Sequence, residues 1–183
     1  MTDDKPEATD ILDFWWTAGP AKWFAKDDAF DAEIRGRFLQ RVEQAATGAL
    51  DAWAATPHGA LALLILLDQF PRNLYRGDKR AFAADGRARE IAARALDNGF
   101  DRAFPVNART FFYLPFEHSE DIADQERSVD LFRRLGDQQT YFYALLHLDV
   151  IRRFGRFPHR NEALGRATTA AEAAYLSDGG FGA

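Results

Sequence analysis

The chain has 183 residues, 47% of them apolar, with 28 acidic against 23 basic side chains and a formal charge of −5. Its 32 alanines, set against only 10 valines and isoleucines together, favour helix over sheet, and the acidic balance excludes a nucleic-acid footprint spread over the whole molecule. Cysteine is absent, which removes disulfides, thiolate nucleophiles and cysteine-ligated zinc and suits a reducing cytoplasm, the expected location.

The opening Met1-Thr-Asp-Asp-Lys-Pro-Glu7 is acidic and carries no secretory signature. Between Asp28 and Ala46 the apolar positions Phe30, Ile34, Phe38, Val42 and Ala45 recur at helical spacing with charged residues between them, which predicts an amphipathic helix. Thr56-Pro57 then supplies an N-cap and a proline at the first helical position. The run that follows is apolar on nearly every side up to Phe70, so this helix is expected to be central and buried. Its longest apolar stretch, Ala60 to Leu67, is eight residues, far short of the ~20 a membrane helix needs. Pro71 should end the helix, followed by a polar turn from Arg72 to Asp78. A further apolar face from about Ala83 to Asp97 stops at Asn98-Gly99. Short helices are expected at Asn107 to Leu114 and around Phe116 to Glu120, broken by Pro115. Longer ones span Asp124 to Leu135 and Gln138 to Phe154, separated by Gly136-Asp137, which reads as a stop followed by a new N-cap. The last begins at the capping box Thr169-Ala-Ala-Glu172 and stops near Gly179.

Helices joined by brief turns, with no strand pattern, predict an all-α fold of stacked antiparallel helical hairpins. No low-complexity linker divides the chain, so a single domain over residues 1–183 is expected. Phe70-Pro71-Arg72-Asn73 recurs as Phe104-Pro105-Val106-Asn107, a shift of 34 residues, with an out-of-register variant at Phe157-Pro158-His159-Arg160-Asn161. That period is the one found in tetratricopeptide arrays and points to a tetratricopeptide-like α-solenoid.

Three segments mix charged, amide and aromatic residues at predicted helix ends. They run from Asp68 to Gly77, from Arg109 to Asp121, and from His147 to Asn161. From them come the candidate ligand-binding residues Arg72, Asn73, Arg76, Arg109, Tyr113, Glu117, His118, His147, Arg153, His159, Arg160 and Asn161, with Arg156 a further cation. Arginine at a turn either fastens helix-end carbonyls and carboxylates or, when several converge, makes an anion site. Stacked hairpins would bring alternate helix ends, and with them Arg72, Arg109, Glu117, His118, His147, Arg153 and His159, around one pocket, or, where Glu117, Glu120, Asp68 and Asp121 supply the counter-charges, into an internal salt-bridge network. His118 and Asp121 would share a face at i, i+3 if the chain is helical there, so that His147 or His159 could complete a metal site. The other reading is a histidine fixed by a neighbouring carboxylate. No H-E-x-x-H or similar pair is present, and no metal and no cofactor is expected. Only three serines occur, none in G-x-S-x-G, and there is no Walker loop. Phe14-Trp15-Trp16 and Trp23-Phe24 read as packing residues.

Ile11-Leu-Asp-Phe-Trp15, Trp23-Phe24 followed by Asp31, Leu67-Asp-Gln-Phe-Pro-Arg-Asn73, Tyr113-Leu-Pro-Phe-Glu-His-Ser-Glu120 and Arg153-Phe-Gly-Arg-Phe-Pro-His-Arg-Asn161 occur in this order. Together they resemble the bacterial domain-of-unknown-function family nine-two-four over about residues 10–178. The first motif departs from the family's usual Trp-Phe ending, reading Trp15-Trp16. The resemblance implies an all-helical fold similar to tetratricopeptide proteins and implies no activity. Two functional readings follow. In one, a helical scaffold that is not an enzyme binds an acidic peptide or small anion, with no nucleic-acid or membrane partner. In the other, Glu117 with His118 or His147 forms an acid–base pair acting on an anionic substrate.

Overall fold

In the computed structural model, which describes residues 5–181, the regular elements are helical throughout and no strand occurs among the described residues. The α-helices are α1 (Lys5–Ala18), α2 (Pro20–Trp23), α3 (Asp28–Thr47), α4 (Pro57–Leu64), α5 (Phe70–Leu74), α6 (Asp85–Asp97), α7 (Val106–Glu117), α8 (Ile122–Leu135), α9 (Gln138–Phe154) and α10 (Ala170–Ser177). Among the described residues no helix is long and apolar enough to cross a membrane. The chain divides into two compact units. One holds the described residues up to Arg76 together with Arg80–Phe112; the other holds Gly77–Lys79 and the described residues from Tyr113 onward.

The first unit is organised on α4, which contacts α1 and α6. Thr56 caps α4 by accepting from Gly59 N–H at 3.2 Å, as its position before Pro57 predicts. Every residue from Ala60 to Leu67 is fully buried. The predicted stop at Pro71 does not occur. A π-helical turn, Ile65–Gln69, follows α4 directly, and the N–H of Phe70 bonds the carbonyl of Ile65, five residues back. This widened turn lets Pro71 sit in the first turn of α5, where its missing N–H costs nothing. Helix α1 and the short α2 were not read from the sequence. They bring Phe14, Trp15 and Trp23 into the core: Trp15 stacks on Trp23 at 5.7 Å and meets Phe70 edge-on at 5.7 Å, and Trp23 Nε1 donates to the Trp15 carbonyl at 2.7 Å. Phe24, by contrast, is exposed.

In the second unit α8 and α9 form an antiparallel hairpin across Gly136, with Asp137 capping α9 through Thr140 N–H at 2.8 Å. A second correction concerns Pro115. Helix α7 runs through it to Glu117, and no separate helix spans Phe116 to Glu120. His118 N–H still reaches the Leu114 carbonyl at 2.9 Å, and burial of Phe112, Leu114 and Phe116 offsets the one hydrogen bond proline removes. After α9 comes a 3₁₀ turn, Pro158–Arg160, which packs against α10. Thr169 and Glu172 form the predicted capping box of α10. Val150, Ile151 and Phe157 centre a cluster joined by Phe154, Tyr175 and Phe181.

Candidate functional site

The predicted residues Arg72, Asn73, Arg76 and Arg109 lie in the first unit. From α5, Arg72 donates to the Asp68 backbone carbonyl and to both Asp85 carboxylate oxygens at 3.2 Å, with Asp68 Oδ1 at 3.5 Å. Burial by itself lowers its proton affinity, but the Asp68 and Asp85 charges more than offset this and raise its pKa. Asn73 donates to Asp31 Oδ1 at 2.7 Å, and Arg76 grips both oxygens of the same carboxylate at 2.7 and 3.1 Å, tying α5 to α3. Arg109 Nε donates to the Phe104 carbonyl at 2.8 Å. The arginines of this unit thus fasten helix ends, and two carboxylates flank Arg72. A shallow depression of about 420 Å³ in the same unit is lined by Asp51, Arg87, Glu90 and Arg94, none of them predicted site residues.

The second unit holds Tyr113, Glu117, His118, His147, Arg153, His159, Arg160 and Asn161. His147 projects from α9 into a buried position, with 6% of its surface exposed. Its Nδ1 lies 2.8 Å from the Tyr143 carbonyl and 3.3 Å from Glu117 Oε1. A carbonyl only accepts, so Nδ1 carries the proton and Nε2 presents a lone pair. Burial pushes the His147 pKa down to about 3; the Tyr143 bond opposes this, and His118, Arg160 and His159 add to it. The ring is therefore neutral at pH 7, and the buried Glu117 Oε1 stands beside an Nδ1–H that the Tyr143 carbonyl already accepts.

Around that ring the chain gathers aromatic and basic groups. His118 lies 6.3 Å away between ring centroids, Phe157 meets it edge-on at 5.6 Å, and Phe181 packs on it at 4.3 Å. His159 stands edge-on to Phe181 at 5.8 Å, and the buried Arg160 guanidinium lies over Phe157 at 4.5 Å. Tyr113 is a core residue, edge-on to Phe132 at 5.6 Å. Arg153 is half-exposed on the far turn of α9, near Asp149 and over Tyr175. Asn161 is buried within the network that holds α10, donating to Thr168 and Glu172 at 3.3 Å.

The i, i+3 face proposed for His118 and Asp121 is absent, because the chain has left the helix at His118 and Asp121 is the N-cap of α8, bonding Ala123 and Asp124 N–H. No group of three or more histidine and carboxylate ligands is placed to hold a metal among the described residues.

Sequence reasoning offered Glu120 as a counter-charge to the arginines but missed the rest of the frame around His147. Gln125, fully buried on α8, donates to the Glu117 and Ser119 carbonyls at 2.6 and 2.7 Å and closes the end of α7. Glu120 accepts two bonds from Arg166 at 2.7 and 3.0 Å and one from Phe157 N–H at 2.8 Å. Burial pushes the Glu120 carboxyl up, but Arg166 and the Phe157 N–H outweigh it and hold the pKa below the ordinary value. Arg156, read earlier as a possible anion ligand, is engaged by Glu172 at 2.6 and 2.8 Å. Nothing in local spacing signals these pairings. Phe181, near the end of the sequence, was equally silent.

A family model described as bacterial protein of unknown function (DUF924) matches residues 11–180. A solved structure of a protein of unknown function from Agrobacterium tumefaciens is similar at 47% identity and a TM-score of 0.93, over 96% of this chain and 99% of that one. No curated protein matches. A match of this length, across the helices and the polar segments described above, places the chain in the DUF924 family of bacterial proteins.

Proposed function

We propose that the protein is a binding scaffold of helical hairpins, of the tetratricopeptide-like kind, and that the surroundings of His147 in the second unit take a small anion or the acidic end of a peptide. One observation carries this reading: the His118 ring stands 6.3 Å from the buried His147, and His159 and the Arg160 guanidinium lie against the Phe181 and Phe157 rings that pack on it. Basic groups gathered about a neutral, desolvated ring, with the buried Glu117 carboxylate beside it, supply an environment in which a ligand carboxylate or phosphate can gain from charge-assisted hydrogen bonds. Acid–base catalysis through the Glu117–His147 pair fits less well. A general acid or base works best with a pKa near the operating pH, whereas His147 sits at about 3.

The test is thermal unfolding titrated with inorganic phosphate and with acetate, against sodium chloride at matched ionic strength. The expected result is a rise in Tm with anion concentration that is lost in His159→Gln and reduced in Arg160→Lys. Identical curves for chloride, phosphate and acetate in the wild type would defeat the proposal.

A further inference from the structure

Helix α9 turns Ala144, His147, Leu148, Val150 and Ile151 into the second unit, while its other side faces water. On that side Gln138, Phe142, Leu145, Asp149 and Arg152 are all exposed and follow one another at spacings of four, three, four and three, the heptad pattern of a helix that packs lengthwise on another helix. In the middle of this stripe Phe142 and Leu145 keep 56% and 40% of their surface in water; exposed Tyr143 stands edge-on to Phe142 at 5.8 Å, and half-buried Tyr141 and Leu146 flank the pair. Scattered exposed apolar side chains need no explanation, but a contiguous group on one helix, on the order of 300 Å² here, marks an interaction surface.

We infer that this face of α9 is a dimerisation surface, on which α9 of a second copy of the chain lies antiparallel. Two features select that occupant. First, the stripe fits itself under a two-fold rotation: with the helices antiparallel, Phe142 meets Leu145 of the second copy and Leu145 meets its Phe142, while Gln138, whose amide donates, meets its Asp149 carboxylate. Second, the two ends of the helix carry opposite charge. Asp137 caps its start and Arg152 and Arg153 close it, so antiparallel packing sets each basic end beside the acidic end of the other copy and aligns the helix dipoles favourably. Parallel packing would instead stack Asp149 on Asp149 and Arg152 on Arg152. Within their own chain Asp149 and Arg152 have the exposed partners Arg153 and Glu126 at 3.4 Å, contacts weak enough to yield to a second copy. Arg133 and Arg134, at the end of α8 next to Asp137, are already held by Asp130 at 2.6 Å. The apolar area is small beside the roughly 800 Å² per partner of a standard interface, so the dimer is weak, with a Kd on the order of 10–100 μM.

The experiment is sedimentation velocity of the wild-type chain from about 5 μM to about 1 mM. The expected result is reversible monomer–dimer exchange that is abolished in Phe142→Asp and in Leu145→Asp without loss of helical content, because both side chains are exposed. Gln138→Lys, which faces Asp149 of the second copy in the antiparallel register, should tighten the dimer about fivefold. A wild-type chain that stays monomeric throughout overturns the inference, and so does a dimer that survives both aspartate substitutions. The protein has no cysteine, so single introduced thiols report the orientation: Phe142→Cys and Leu145→Cys chains, mixed under oxidation, should cross-link to each other faster than either does to itself. Self-cross-linking at an equal or higher rate, or a Gln138→Lys dimer no tighter than the wild type, refutes antiparallel packing. Should either aspartate variant fail to fold, the Gln138→Lys affinity and the cross-linking pattern decide.

Discussion

His147 keeps its ring neutral because burial removes the water that would solvate an imidazolium, while the Tyr143 carbonyl occupies the one N–H. Its pKa of about 3 lies below the ordinary histidine value of 6.5, so below pH 6.5 the unfolded chain binds a proton that the folded chain refuses. The stability this residue contributes is complete above pH 6.5 and drains away as the pH falls towards 3, at up to about 1.4 kcal/mol per pH unit. Glu117, His118, His159 and Arg160 face the same ring or its immediate surroundings. Glu120 and Glu172 have depressed pKa values, the latter about 2 through Arg156 and the Thr169 N–H, and they add their own loss only below about pH 4.5. Denaturant unfolding between pH 6.5 and 5 should show the downward slope in the wild type and a markedly flatter one in His147→Gln. Equal slopes would mean that the folded imidazole is protonated like a free one. Local sequence made His147 a candidate by its residue type, but its protonation state belongs to the packing around it.

Among the elements, α4 shows how a backbone approach can reverse a propensity. Glycine to alanine inside a helix ordinarily gains about 1 kcal/mol. At Gly59, however, a Cβ would overlap the Trp53 carbonyl of the 3₁₀ turn Asp51–Ala55 and lie 2.9 Å from Thr56 Oγ1, the capping oxygen. Gly59→Ala should therefore destabilise the protein by about 2 kcal/mol, as overpacking does, measured by urea unfolding; a more stable variant would show that the turn yields freely. Thr169→Ala, which removes the capping box of α10 and one partner of Glu172, should cost about 1 kcal/mol in the same assay. The helix caps at Thr56, Asp137 and Thr169 were legible because a cap bonds a backbone N–H two or three residues away. The behaviour of Pro71 and Pro115 was not. Both prolines carry a local stop signal, which the π turn before Pro71 and the buried aromatic face of α7 override. In each Phe–Pro pair the phenylalanine is buried and the proline opens or immediately precedes a helical turn, which gives the faint repeat a packing meaning.

For the molecule as a whole, far-ultraviolet circular dichroism should report a predominantly helical chain whose melting is unchanged by a chelator, since its caps and apolar faces need no metal. A strand-rich spectrum, or melting on chelation, would contradict this. Leu64→Asp places a carboxylate at a fully buried position of the first unit and should cost more than about 4 kcal/mol, enough to leave little folded protein; a soluble variant with wild-type Tm would show that the position is exposed. The sequence by itself determined the all-helical class, the caps and the buried run from Ala60 to Leu67, because periodicity and capping are interactions between residues a few positions apart. Only the tertiary structure decided that Asp85 faces Arg72, that Arg166 clamps Glu120 from 46 residues away, and that Phe181 lies on His147. Such pairings follow from which groups are buried together, and burial at distant positions depends on the packed arrangement of the helices rather than on any one of them.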